Sequence, residues 1–216
     1  MKRLLPITLA LVSLTASASA ADAVVPSIRE RFAPPKEQIQ EVPDFRQHIV
    51  PMLGKLGCNG RACHGSFQGQ GGFRLSLFGY DFKMDHDNLT AGESPRINVK
   101  EPAASLAIEK PTMVDPHEGG LRYKPDSWEH KIFLRWIEGG AKGVNDKTAE
   151  FVRIDVIPSE IQFKKAGETT QLKVIANWSD GTREDVTTLC RYQSNSVSLF
   201  GFAILTPKVY LSHPCD

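Results

Sequence analysis

Leu56-Gly57-Cys58-Asn59-Gly60-Arg61-Ala62-Cys63-His64-Gly65 is the stretch on which the reading of this chain turns. Four residues separate its cysteines, and a histidine directly follows the second. The signature for covalent haem attachment is C-x-x-C-H, with the same cysteine–histidine adjacency and a shorter gap. The adjacency is the stricter half of that geometry, because the second thioether and the proximal ligand must come from neighbouring residues. The first cysteine has more freedom. In a regular helix, five residues turn through about 500 degrees and would point Cys58 away from Cys63. The loop must therefore bulge, and Asn59-Gly60 suits this because both residues tolerate left-handed backbone.

On this pattern Cys58 and Cys63 would form thioethers with one haem c per chain. His64 would give the iron a neutral imidazole nitrogen, and its other ring nitrogen would need a carbonyl or carboxylate partner. Two rivals stay open on the pattern alone. One is a local Cys58–Cys63 disulfide with His64 an ordinary surface residue. The other is a bare metal site, although this spacing matches no common zinc pattern. The distal ligand is sought among Met84, His86, Met113 and His117. Met84 and His86 lie in the charged stretch Asp81 to Asp87, which counts against them. Met113 could equally be core packing, and His117 a solvent-facing loop residue.

The start of the chain bears on the cysteines. Lys2 and Arg3 precede an apolar run from Leu4 to Leu14, and Ala18-Ser19-Ala20 has small-x-small spacing. This reads as a secretory signal peptide, residues 1–20, cut after Ala20. The run is too short to span a bilayer comfortably, and no transmembrane segment is expected in the mature chain. A periplasmic or secreted location follows, where disulfides are permitted. Of the 26 basic residues, two fall in the leader, leaving 24 against 25 acidic ones. That balance gives no electrostatic reason to expect a nucleic-acid partner.

Residues 21–42, polar and proline-containing, are expected to be a mobile linker. Residues 43–142 would form a first domain. Phe45, Ile49, Leu53 and Leu56 recur at helical spacing, with Pro51 marking a kink or a new start. A clearer helix closes the domain, capped by Asp126 or Ser127 and stopped by Gly139-Gly140. Ile132, Phe133, Trp136 and Ile137 share its apolar side. About seventy residues of loop lie between these helices, a gap that a large apolar cofactor would fill. Residues 151–216 change period. Leu172, Val174, Ala176 and Trp178 alternate as in a half-buried strand, and Ser179-Asp180-Gly181 signals a turn. This predicts an all-β sandwich, short of complete.

Several short motifs occur in order. They are Gly57-Cys58-Asn59-Gly60, Cys63-His64-Gly65, Phe73 to Asp81, Leu89-Thr90, Pro116-His117-Glu118-Gly119-Gly120 and Trp136 to Ala141. Over residues 43–142 the chain resembles the cytochrome c-like domain of large exported planctomycete proteins. From Val152 onward it resembles a bacterial immunoglobulin-like domain of group 2, in Gln171-Leu172, Trp178 to Gly181, Asp185-Val186-Thr187 and Tyr192 to Asn195. The resemblance implies a mostly α cytochrome c-like haem domain followed by an all-β immunoglobulin-like sandwich. It implies Cys58 and Cys63 as attachment points and His64 as proximal ligand, and it favours His117 over Met113 as distal ligand. After Leu199 the pattern is lost, and a fragment or a frameshifted product is expected.

The leading expectation is an exported electron-transfer haem module with an unidentified redox partner protein or domain. The rival is a non-enzymatic extracellular scaffold, binding carbohydrate, with a Cys58–Cys63 disulfide. A haem enzyme of the peroxidase type would need Met113 and His117 both off the iron.

Overall fold

In the computed structural model, residues 23–91, 95–165 and 167–192 are described. The signal-peptide and chain-end expectations fall outside them.

The first ordered element is strand β1, Val24–Val25. Helix α1, Ile28–Arg31, follows at once. A capping box starts it: the Ser27 hydroxyl accepts the Glu30 N–H, and the Glu30 carboxylate accepts the Ser27 N–H. Such reciprocal pairing satisfies two backbone donors that the first turn leaves open. Ile28 and Phe32 are fully buried. The stretch expected to be a mobile linker is therefore packed into the core, anchored by three apolar side chains with Ile39.

A π-helical turn, Phe45–Ile49, is capped by Asp44, which accepts the Gln47 N–H at 2.8 Å. Helix α2, Val50–Lys55, begins where that turn ends, and Pro51 sits in its first turn. There the missing N–H costs nothing. Helix α3 is Phe82–Thr90, capped by Asp81. Helix α4 is Leu106–Glu109. Helix α5 is Trp128–Glu138, and of the two caps expected it is Ser127 that accepts from His130 N–H. Ile132, Phe133, Trp136 and Ile137 are all buried, with Phe45 stacked on Trp136 at 5.4 Å.

Strands β2 (Phe151–Ile157), β3 (Lys173–Trp178) and β4 (Arg183–Asp185) complete one sheet of order β1-β4-β3-β2. β2, β3 and β4 are antiparallel neighbours, and β3 turns into β4 through Ser179-Asp180-Gly181. β1 runs parallel to β4, with Val24 opposite Arg183.

The expected architecture, a mostly α domain followed by an all-β sandwich, is corrected here. The chain is mixed α/β, with five helices and one small four-stranded sheet among the described residues. The reason lies in what covers the sheet. Alternation placed Leu172, Val174, Ala176 and Trp178 inside. Ile175 and Asn177, on the other face of β3, are buried too. The sheet leans on the helical part of the chain in place of a second sheet. Leu189 joins the main core, Lys55 of α2 donates to the Cys190 carbonyl at 3.5 Å, and β1 is drawn from the amino-terminal stretch.

Polar side chains make the same junction. Arg31 grips Glu41 through two nitrogens at 2.8 and 2.9 Å and donates to Glu184 of β4 at 2.8 Å. His48 Nδ1 accepts the Asp44 N–H at 2.9 Å, so its Nε2 carries the proton and donates to Glu184 at 3.0 Å.

Candidate functional site

The Cys58–His64 segment folds into a compact knot of turns. The Cys58 N–H bonds to the Leu53 carbonyl, and the His64 N–H closes back on the Cys58 carbonyl at 3.0 Å. The loop thus departs from a helix between the two cysteines. The left-handed residue is Gly57, with φ of 80°, rather than Asn59 or Gly60. The bend is made before the first cysteine, as α2 ends, so Asn59 and Gly60 can take ordinary backbone angles.

Gly65 is where this knot is tightest. A Cβ there would lie 2.0 Å from the Asn59 carbonyl oxygen. Backbone cannot yield to that contact locally. Gly65→Ala should cost about 3 kcal/mol of stability, at the upper end of overpacking penalties. Urea unfolding of the two proteins measures it.

The His64 ring is held from behind. Its Nδ1 donates to the Phe73 carbonyl at 3.1 Å, and Phe73 lies against the ring at 4.8 Å between centroids. Phe73 is fixed in turn by Arg96, which stacks over it at 5.3 Å and donates to Gly71 O at 3.1 Å. Nδ1 therefore carries the proton and Nε2 presents its lone pair. Burial pushes the imidazole below the ordinary histidine value, which keeps that lone pair available at neutral pH.

His117 lies opposite. The two imidazole centroids are 6.3 Å apart, and the rings are within 11° of parallel. His117 Nδ1 donates to the Gly120 carbonyl at 3.0 Å, so its Nε2 is also the lone-pair nitrogen. Two imidazoles holding one metal through nitrogens about 2.0 Å away have centroids roughly 6 Å apart. The spacing and the matched tautomers make His64 and His117 the two imidazoles, of those described, that could serve one iron together. Among the described residues, no three or more His, Cys, Asp or Glu side chains gather around a bare metal ion. A haem asks for fewer protein donors, since its macrocycle fills the equatorial positions.

The other candidates are placed elsewhere. Met113 is 46% exposed in a turn. Met84 and His86 lie on α3, and His86 is occupied by the Ala141 carbonyl at 2.7 Å and the edge of Phe45.

Arg122 was not singled out by the sequence. It joins the His117 loop to the cysteine loop, donating to Leu56 O at 3.3 Å and approaching the Cys63 sulfur at 3.8 Å. No periodicity or motif marks such a residue. Cys58 is a free thiol, and burial pushes it up to about 11. The Cys63 sulfur is disulfide-bonded in this structure, but not to Cys58.

No family model, no curated protein and no solved structure matches this chain. No helix among the described residues is long and apolar enough to cross a membrane.

Proposed function

We propose that this chain is an exported protein that carries one c-type haem and transfers electrons. The observation that carries the reading is the facing pair His64 and His117, two half-buried imidazoles from distant loops. Cys58 and Cys63 would supply the thioether sulfurs, and His64 and His117 the nitrogens that hold the iron. The haem would contribute a reversible one-electron change at its iron. The chain's own residues do the positioning. The Phe73 carbonyl fixes the His64 tautomer, the Gly120 carbonyl fixes that of His117, and Arg122 ties their loops together. Second partners of this kind orient a ligand and raise its basicity. With nitrogens from both His64 and His117 committed to the group, the chemistry it would supply is electron transfer rather than a reaction on a bound substrate.

The scaffold reading required a Cys58–Cys63 bridge, and the free Cys58 thiol does not support it. A thioether at Cys63 requires that its sulfur be reduced first, so attachment and the Cys63 disulfide are mutually exclusive.

The test is expression with the leader in a host that matures c-type haem, followed by a pyridine haemochrome spectrum and an intact mass. A mass gain of one haem, lost when Cys58 and Cys63 are both replaced by serine, is expected. A haem-free product with its cysteines oxidised would overturn the proposal.

A further inference from the structure

Strand β2 is the outer strand of the sheet, and among the described residues it pairs with β3 alone. Phe151, Val152 and Ile157 on it are exposed. A seven-residue edge bearing apolar side chains is one that soluble proteins usually cover or blunt. This edge has a self-complementary sequence, Phe151-Val152-Arg153-Ile154-Asp155-Val156-Ile157. Turned end for end about Ile154, it sets Arg153 against Asp155, Val152 against Val156, and Phe151 against Ile157. Every opposed pair is opposite in charge or apolar on both sides.

We propose that two copies of this chain associate through β2, antiparallel about Ile154, so that Arg153 of one copy faces Asp155 of the other. The pairing is isologous, as a two-fold axis requires, and it extends the sheet across both copies by strand addition. Within one copy Arg153 and Asp155 already lie on one face, 3.0 Å apart, with Asn177 donating to Asp155 at 2.9 Å. In the pair these become a cluster of alternating charge over two strands. Ile154 and Val156 pack toward the small core beneath the sheet, so that side would become continuous between copies. The β2–β3 register is irregular between Phe151 and Arg153, so the pairing rests on the regular centre, with Ile154 on the two-fold axis and Arg153 and Asp155 on either side of it. This inference does not depend on the haem reading.

The experiment is sedimentation of the full chain and of two charge variants. Arg153→Asp leaves acidic groups opposed at both symmetric positions, and Asp155→Lys leaves basic groups opposed at both. Like charges directly opposite across strands are destabilising, so each variant should associate about tenfold more weakly than wild type. Mixed in equal amounts, the two variants face each other with opposite charges and should form a mixed dimer. In that mixture neither copy keeps its own Arg153–Asp155 pair, so recovery reports the contact between copies. Hydrogen exchange of wild type gives a second readout, since the β2 amides should gain protection as concentration rises. A monomeric wild-type chain with concentration-independent exchange would overturn the proposal. So would a dimer that Arg153→Asp leaves intact, or variants that fail to recover on mixing.

Discussion

Replacing Glu184 with alanine should cost the folded chain about 3 kcal/mol at neutral pH. The expectation follows from what would be left behind. The Glu184 and His48 side chains are 4% and 6% exposed, and Arg31 is 16% exposed. Removing the carboxylate leaves a buried imidazole N–H without its acceptor and leaves the Arg31 guanidinium with Glu41 as its remaining carboxylate. Breaking one member of a buried ionic group is far more costly than the group is worth intact. Glu184→Gln keeps an acceptor oxygen and should cost less.

The same residue sets an acid limit. Burial alone would raise the Glu184 carboxyl, but the His48 hydrogen bond and the Arg31 guanidinium outweigh it and hold it below its ordinary value of 4.5. A depressed carboxyl contributes stability that is complete above the unfolded value. That contribution fades as pH falls through the folded value. Denaturant melts from pH 7 down to pH 3 should show wild type and Glu184→Gln converging in acid. Parallel curves at every pH would show that the carboxylate's charge plays no part.

The second large effect is expected at the imidazole pair. On the proposed haem reading, His117→Ala should remove one of the two histidine nitrogens that would hold the iron and convert a low-spin spectrum to a high-spin one. Met113→Ala should leave the spectrum unchanged, because Met113 sits exposed in a turn. His64→Ala should lower the yield of attached haem as well as alter the spectrum. A low-spin spectrum that survives His117→Ala and changes with Met113→Ala would reverse the assignment of the distal ligand.

Some of this molecule is legible in its sequence because the signal is local. The α5 face, its Ser127 cap and the Ser179 to Gly181 turn each depend on residues a few positions apart. The need for a bulge between Cys58 and Cys63 is legible as well, though not the use of Gly57 to begin it. That depended on where α2 stops. What escapes is non-local. Val24 and Val25 carry no period, yet they become a strand because β4 offers them an edge. Glu184 looks like an ordinary exposed charge on a three-residue strand, and it is buried because Arg31 and His48 arrive from the far end of the chain. Arg122 escapes for the same reason, since its role depends on two loops meeting. The sandwich expectation failed at this level too. Alternation describes one face of β3 and is silent about what lies over the other.

The pairing of Val24 with Arg183 has a consequence for how the chain comes to be folded. Almost the whole described length lies between the two strands, so their contact closes a very long loop. Closing such a loop is an entropic debt settled only when the last partner is present, and folds rich in distant contacts form slowly. A chain delivered from its amino terminus therefore leaves Val24 and Val25 without their partner strand until β4 emerges. The Arg31–Glu184 latch fastens at that same late moment. The cysteine and histidine loops lie between these ends and are complete earlier. They would be open to modification while the sheet is still unfinished.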